Sequence, residues 1–278
     1  MQFDLVIQGQ HIDDTAIESL ARLSKAVQRR RLGPRAARLM GAYRSASIAG
    51  ACADLQLDYA FVPAQARLVD FGLVAMDMDS TLINIECIDE LADMAGIKSQ
   101  VAEITRRAMR GEMDFAASLA RRVVLLAGLD ASALEQVYEE RLQLAPGAER
   151  LIDGLKALGI RTLLVSGGFT YFTGRLRARL GLDYACSNEP EVERGKLTGR
   201  IVGPVLDADG KAEKLRAVRD ELELEPGQVI AIGDGANDLA MMAEAGVSIA
   251  YRAKPVVREK ATYSFNHVGL DGLLNLFL

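Results

Sequence analysis

Four short, strongly apolar runs, at residues 73–76, 160–165, 229–232 and 247–251, constrain this chain more than any other feature. Each has the length and the unbroken apolar character of a strand buried on both faces. Helical patterns lie between them. Buried strands alternating with helices are the signature of a doubly wound sheet, so the predicted class is α/β with a mostly parallel, Rossmann-like core. Between the first and second runs, more than eighty residues carry no strand pattern and hold helix-like stretches at 88–94, 100–109, 115–126 and 131–142. An insertion of that size exceeds a simple crossover. It predicts a helical cap, at about residues 87–150, placed after the first strand and beside the open end of the sheet. Residues 73–278 then form one domain with its cap.

Residues 1–72 read as a separate small α/β module. Residues 3–8 are strand-like, and Asp13 and Asp14 can cap a helix whose apolar positions Ile17, Leu20, Leu23 and Val27 recur at helical spacing. Arg29, Arg30, Arg31 and Arg35 close that helix as a solvated basic face, favoured at a helix C-terminus. From residue 63 to 70 the composition becomes linker-like, which places the boundary there. Further on, alternating residues with glycines at 195, 199 and 203 predict a β-hairpin over 194–206.

Several functions are excluded early. The formal charge is −5, a poor balance for binding nucleic acid through phosphate neutralisation. The longest uncharged run, residues 162–174, is well short of the roughly 20 apolar residues that span a bilayer, and the start MQFDLVIQGQ has no secretory pattern. The expected location is the cytoplasm, with no membrane or nucleic-acid partner. Cys52, Cys87 and Cys186 are odd in number and widely spaced, and only His11 and His267 exist. Neither a zinc site nor a Ser-His-Asp triad fits that inventory. Catalysis must run on carboxylates.

Ligands of open α/β sheets bind beyond the carboxyl ends of the strands. There the first run delivers Asp77 and Asp79, the second Ser166-Gly167-Gly168, and the third Gly233-Asp234-Gly235-Ala236-Asn237-Asp238. Lys211, in an Asp-Gly-Lys turn after the hairpin, can add one cation. Taken singly, each cluster is equally well read as turn chemistry, Lys211 as a surface lysine, and Asp238 as a carboxylate favoured at a helix N-terminus. Together they say more. Four carboxylates on one rim repel unless a hard cation compensates, and an oxygen-only donor set points to Mg2+. A magnesium ion beside a free carboxylate, a lysine and glycine-rich N–H donors makes a phosphate site.

DMDST at 77–81, SGG at 166–168, Lys211 and GDGAND at 233–238 resemble, in order and spacing, the four motifs of the haloacid dehalogenase superfamily. The stretches MDMDSTLINIECIDELADMAG, LLVSGGFTYF and IAIGDGANDLAMMAEAG are similar to its phosphoserine phosphatase family, from about residue 73 to the end. The first seventy residues loosely resemble an ACT amino-acid-binding module, which leaves the oligomeric state open, including a homodimer paired through that module.

The resemblance implies that Asp77 attacks phosphorus to form an aspartyl phosphate and that Asp79 serves as acid and then base. It implies Mg2+ held by the carboxylates of Asp77 and Asp234 and the main-chain carbonyl of Asp79, with Asp238 either touching the ion or holding it from behind. Ser166, Gly167 N–H and Lys211 would stabilise the transferring phosphoryl group, with Asn237 counted among the substrate-binding residues. By the same resemblance Glu86 takes the substrate's amino group, Arg122 its carboxylate, and Met109 and Phe115 form an apolar lid. From the residues alone, Glu86 is equally an exposed helix-start residue, Arg121 competes with Arg122, and Met109 and Phe115 read more readily as plain core. The implied activity is Mg2+-dependent hydrolysis of O-phospho-L-serine, the last step of serine synthesis. Two alternatives stand beside it: transfer of the phosphate to another alcohol such as homoserine, and an amino-acid sensor with an inert phosphatase domain.

Overall fold

Asp13 begins the first helix in the way its short carboxylate allows, accepting a hydrogen bond from Ala16 N. Around that helix, the computed structural model, which describes residues 2–109 and 112–277, folds the N-terminal segment in the order β-α-β-β-α-β. The elements are β1 (Phe3–Gln8), α1 (Asp14–Leu23), β2 (Gln28–Arg31), β3 (Ala36–Ala42), α2 (Ala46–Asp54) and β4 (Asp58–Pro63). The sheet is antiparallel, in the order β2-β3-β1-β4, the arrangement of a split β-α-β or ferredoxin-like module. One face packs on the helices through Leu5, Ile7, Ile17, Leu20, Leu39, Ile48 and Cys52.

The arginine cluster does not close a helix. Lys25 takes a left-handed φ of 52°, which turns the chain after Leu23, and Val27 N then donates to Met40 O. Gln28–Arg31 becomes an exposed edge strand, and Val27 is left 77% exposed instead of lying on a helical apolar stripe.

The remaining elements are β5 (Leu73–Met76), α3 (Cys87–Met94), α4 (Lys98–Met109), α5 (Phe115–Val124), α6 (Ser132–Gln136), α7 (Ala148–Ala157), β6 (Arg161–Phe169), α8 (Thr170–Leu180), β7 (Tyr184–Glu193) and β8 (Lys196–Val202), followed by α9 (Ala208–Glu221), β9 (Val229–Gly233), α10 (Leu239–Ala243), β10 (Val247–Tyr251), α11 (Pro255–Lys260), β11 (Tyr263–Phe265) and α12 (Leu273–Leu276). Seven of these strands form one sheet in the order β11-β10-β9-β5-β6-β7-β8, parallel except for the β7–β8 pair. The four apolar runs are all in it. β5 and β9 are buried along their whole length because apolar clusters cover both faces, which is why their sequences do not alternate.

Three expectations are corrected here. The second run does not stop at residue 165: β6 continues through Ser166-Gly167-Gly168 to Phe169, with an irregular register against β7. The hairpin is β7–β8, turning at Arg194 and Gly195, whose φ values of 51° and 77° suit a tight two-residue turn. Lys211 lies in α9, not in a turn, because Asp207 caps that helix by accepting from Gly210 N.

The cap helices α3 to α6 leave and rejoin the sheet through paired linkers, with Asn84 N bonded to Gln143 O (3.0 Å) and Ala145 N to Leu82 O (2.9 Å). The two sheets are held together by Asp58, which is 3% exposed. Its carboxylate accepts from the backbone N–H groups of Asn266 (2.8 Å), His267 (2.8 Å) and Val268 (3.0 Å). Among the described residues no helix is long and apolar enough to cross a membrane.

Candidate active site

Sheet order puts β6, β5 and β9 side by side, so the polar residues at their carboxyl ends share one rim. Asp77 follows β5 directly and is anchored there by its N–H, which donates to Ile232 O on β9 (3.0 Å). The chain then makes one wide turn over Met78–Leu82, with Ser80 at a left-handed φ of 58°. Asp79, inside that turn, accepts from Cys87 N at the start of α3 (3.2 Å). From the other side β6 comes close: a Cβ at Gly168 would stand 3.0 Å from Asp79 Oδ2 and 3.1 Å from Ser166 Oγ, so only glycine lets this turn approach unhindered.

Lys211 is the hub. Fully buried, its ammonium donates to Asp77 Oδ1 (2.5 Å) and to Asp238 Oδ1 (2.8 Å). Asp238 Oδ2 in turn accepts from the backbone N–H groups of Asp234 (3.1 Å) and Gly235 (3.0 Å). Both oxygens of Asp238 are therefore engaged, and its carboxylate holds the Gly233–Asp238 turn in shape. Gly233 is required by the same packing, since a Cβ there would fall 2.5 Å from Asp238 Cγ. The Asp234 carboxylate has no hydrogen-bond partner among the described residues. Oxygens of Asp77, Asp234 and Asp238 lie within 4.8 Å of one another. An all-oxygen set of this kind suits a hard divalent cation.

Burial and mutual repulsion shift the titration of these groups. Burial first, then the charge of Asp238, push the Asp77 carboxyl well above its ordinary range, against the pull of Lys211. Burial and Asp238, with Glu86 behind them, raise Asp234 to about 7. Burial and Glu86 likewise raise Asp79 to about 7, against its hydrogen bonds from Cys87. For Lys211, burial alone would favour the neutral amine, but Asp238 and Asp77 outweigh it and hold the ammonium charged. The rim thus crowds four carboxyl groups around the one buried ammonium of Lys211.

The structure brings together Asp77, Asp79, Ser166, Gly167, Lys211, Asp234 and Asp238, and keeps Asn237 in the same turn against Gly235. Ser166 Oγ accepts from Gly168 N (2.9 Å), which leaves its own proton available to a ligand. Glu86 accepts from Ser80 Oγ (2.8 Å) and acts electrostatically on both Asp79 and Asp234, so it faces the rim while remaining exposed. Arg122 bonds to none of these residues. Its Nε is buried with no partner among the described residues, and the nearby Asp89 has a buried Oδ1 in the same condition. The side chains of Met109 and Phe115 lie outside the described residues.

One residue with no sequence signal belongs here. Asn188 on β7, 2% exposed, donates to Gly167 O (2.9 Å) and accepts from Leu206 N (2.7 Å), tying the Ser166-Gly167-Gly168 segment to the chain that leads into α9 and Lys211.

A family model described as haloacid dehalogenase-like hydrolase matches residues 71–246, and one described as a domain of unknown function, DUF4072, matches residues 5–47. The phosphoserine phosphatase of a Polaromonas species is 54% identical over 215 residues, which cover 76% of this chain and 91% of that protein. The unliganded crystal structure of a probable phosphoserine phosphatase from Vibrio cholerae aligns with TM-score 0.87 at 38% identity, covering 99% of this chain and 86% of that one. A solved phospho-aspartyl intermediate analogue of phosphoserine phosphatase aligns with TM-score 0.71 at 39% identity, over 75% of this chain and 99% of the other.

Proposed function

The chain belongs to the haloacid dehalogenase-like hydrolase family, among its phosphoserine phosphatases, and from that premise we propose that it hydrolyses O-phospho-L-serine to L-serine and phosphate through an aspartyl phosphate on Asp77, with Mg2+ as its metal. The observation that carries this reading is the buried Lys211 bonded to both Asp77 and Asp238, beside an Asp234 carboxylate that has no hydrogen-bond partner among the described residues.

Asp77 and Asp234, with the Asp79 carbonyl, would hold Mg2+, and the ion would supply positive charge beside the phosphate oxygens and the crowded carboxylates. Asp77 attacks phosphorus and the bond from phosphorus to the seryl oxygen breaks. Asp79, whose carboxyl is raised to about 7 and is therefore partly protonated near neutral pH, gives its proton to that departing oxygen and serine leaves as the alcohol. The same carboxylate then takes a proton from water, whose oxygen attacks phosphorus and frees both phosphate and Asp77. Lys211, Ser166 Oγ and Gly167 N–H bind the phosphoryl oxygens as charge spreads over them, and Asp238 fixes Lys211. Glu86 and Arg122 receive the substrate's ammonium and carboxylate.

The test is phosphate release from phosphoserine, with and without Mg2+, for the parent and for Asp77→Asn. Activity should require the metal and fall at least ~10³-fold in the variant, which keeps its shape and loses its nucleophile. Comparable activity in Asp77→Asn would overturn the mechanism. Predominant transfer of phosphate to added homoserine would overturn the hydrolase reading.

A further inference from the structure

The cap touches the sheet at a second place besides its linkers. Beyond α5, the chain runs alongside β8: Gly128 N donates to Leu197 O (2.8 Å), Leu197 N to Leu129 O (2.9 Å) and Ala131 N to Gly195 O (2.8 Å). Under these bonds Leu197 belongs to one buried cluster with Leu119, Val123 and Leu126 of the cap. The hairpin β7–β8 is therefore both the edge of the catalytic sheet and the bed on which the end of α5 rests. At its base sits Asn188, which bonds the Gly167 carbonyl. The phosphate turn and the end of α5 thus share one frame.

Gly199, two residues beyond Leu197 and within the irregular stretch of β8 between its pairings at Leu197 and Ile201, is where that frame meets the backbone of α5. Its φ is +82°, and a Cβ there would stand 2.9 Å from Ala127 Cβ, 3.0 Å from Val124 O and 3.2 Å from Val124 Cα. Two of those three atoms are backbone. No rotamer change relieves such a contact, so a side chain at 199 has to push the end of α5 away. Val124 is the last residue of α5, and Arg122, whose buried Nε has no partner among the described residues, lies two residues before it. A buried donor without a partner is costly and uncommon, which fits a guanidinium held ready for an incoming acceptor.

Resting on the phosphoserine reading, we propose that Gly199 is a specificity-determining positioning residue. By letting β8 lie against the backbone of α5, it sets how far Arg122 stands from the phosphate turn, and so the separation between carboxylate and phosphorus that the site accepts. Arg122 makes the contact and Gly199 fixes where that contact can be made.

The test compares O-phospho-L-serine with p-nitrophenyl phosphate, which carries a phosphate but neither ammonium nor carboxylate. Gly199→Ala should raise the KM for phosphoserine about tenfold, with kcat changed less than about threefold, and leave p-nitrophenyl phosphate turnover within about twofold of the parent. Ala131→Pro is the second variant. Its φ of −63° suits proline, and the change deletes only the bond to Gly195 O, so it should shift the same KM in the same direction by less, even if Gly199→Ala fails to fold. Parallel losses on both substrates, or an unchanged phosphoserine KM in the folded variants, would overturn the proposal. Arg122→Gln separates the two levels of the reading. If it leaves the phosphoserine KM unchanged, the carboxylate assignment falls and the proposal with it. If it raises that KM while the other variants do not, Gly199 alone loses its role.

Discussion

Replacing Lys211 by methionine keeps a long apolar stem in a fully buried position and deletes its charge. Asp77 and Asp238 then face each other with oxygens no more than 4.8 Å apart and nothing between them. At an effective dielectric of about 20, two ionised carboxylates at that distance repel by at least ~3.5 kcal/mol. Removing one partner of a buried ion pair costs about 3–5 kcal/mol in general, so the two figures agree. With about 2–4 °C of Tm per kcal/mol for a chain of this size, Lys211→Met should melt roughly 6–20 °C below the parent at pH 8 without metal. The sign of the pH dependence comes from Asp77. Its folded-state carboxyl already titrates well above the ordinary range, so the folded protein holds more protons than the unfolded chain, and stability falls as pH rises. Without Lys211 that fall extends to higher pH, because the ammonium that lowers the Asp77 pKa is gone. The deficit relative to the parent should therefore shrink on acidification toward pH 5.5, and added Mg2+ should recover more of it in the variant than it adds to the parent. The assay is thermal unfolding of both proteins at several pH values, with and without Mg2+. Equal Tm values at pH 8, or a deficit that widens as pH falls, would refute the reasoning. Turnover should drop on the order of 10²-fold or more.

Metal binding should be coupled to protons in the same site. Asp234 is raised to about 7 and Asp77 stands well above its usual range, so Mg2+ displaces protons as it enters, and its affinity should weaken as pH falls through 7. Calorimetry at pH 6.5 in two buffers of different ionisation enthalpy measures the released protons, and identical heats would contradict the raised carboxyls. Asp58→Ala strips the backbone N–H groups of residues 266–268 of their shared acceptor and should cost about 3 kcal/mol in urea unfolding, since each buried donor left bare costs about 1–3 kcal/mol. A loss below about 1 kcal/mol would mean that water replaces the carboxylate there.

How legible each residue was in the sequence depends on where it gets its conformation. β5 and β9 were readable because burial on both faces leaves an unbroken apolar run, and the residues just past such a run in an open sheet lie on the ligand rim. Asp77, Asp79, Asp234 and Asp238 inherit their positions from those strands, so their grouping could be inferred before any distance was known. β2 was hidden for the opposite reason. Gln-Arg-Arg-Arg has neither an apolar face nor a period of two, and it is a strand only because β3 offers it a backbone ladder. β7 is similarly opaque, since its second half, Glu-Pro-Glu-Val-Glu, is polar and carries a proline that only an edge or irregular pairing tolerates. Lys211 looked like a turn residue because Asp207, Asp209 and Gly210 are turn formers. The same Asp207 carboxylate is also a good helix cap, and tertiary packing decided between the two.

Asn188 and Gly199 mark the deeper limit. Gly199 reads in the sequence only as one glycine of the hairpin pattern and Asn188 as nothing in particular, because the role of each is defined by a gap between segments distant in the chain: Gly167 and Leu206 for one, β8 and α5 for the other. A short amide that spans such a gap, or a glycine that closes one, is interchangeable by composition with many others in the chain. The chemistry-bearing carboxylates are therefore recoverable from strand ends, while the residues that set the spacing between phosphate turn and cap become visible only once the β7–β8 hairpin is seen lying against α5. Substrate selectivity in this fold should for that reason be altered more readily at the hairpin than at the rim, where every change also removes charge the reaction needs.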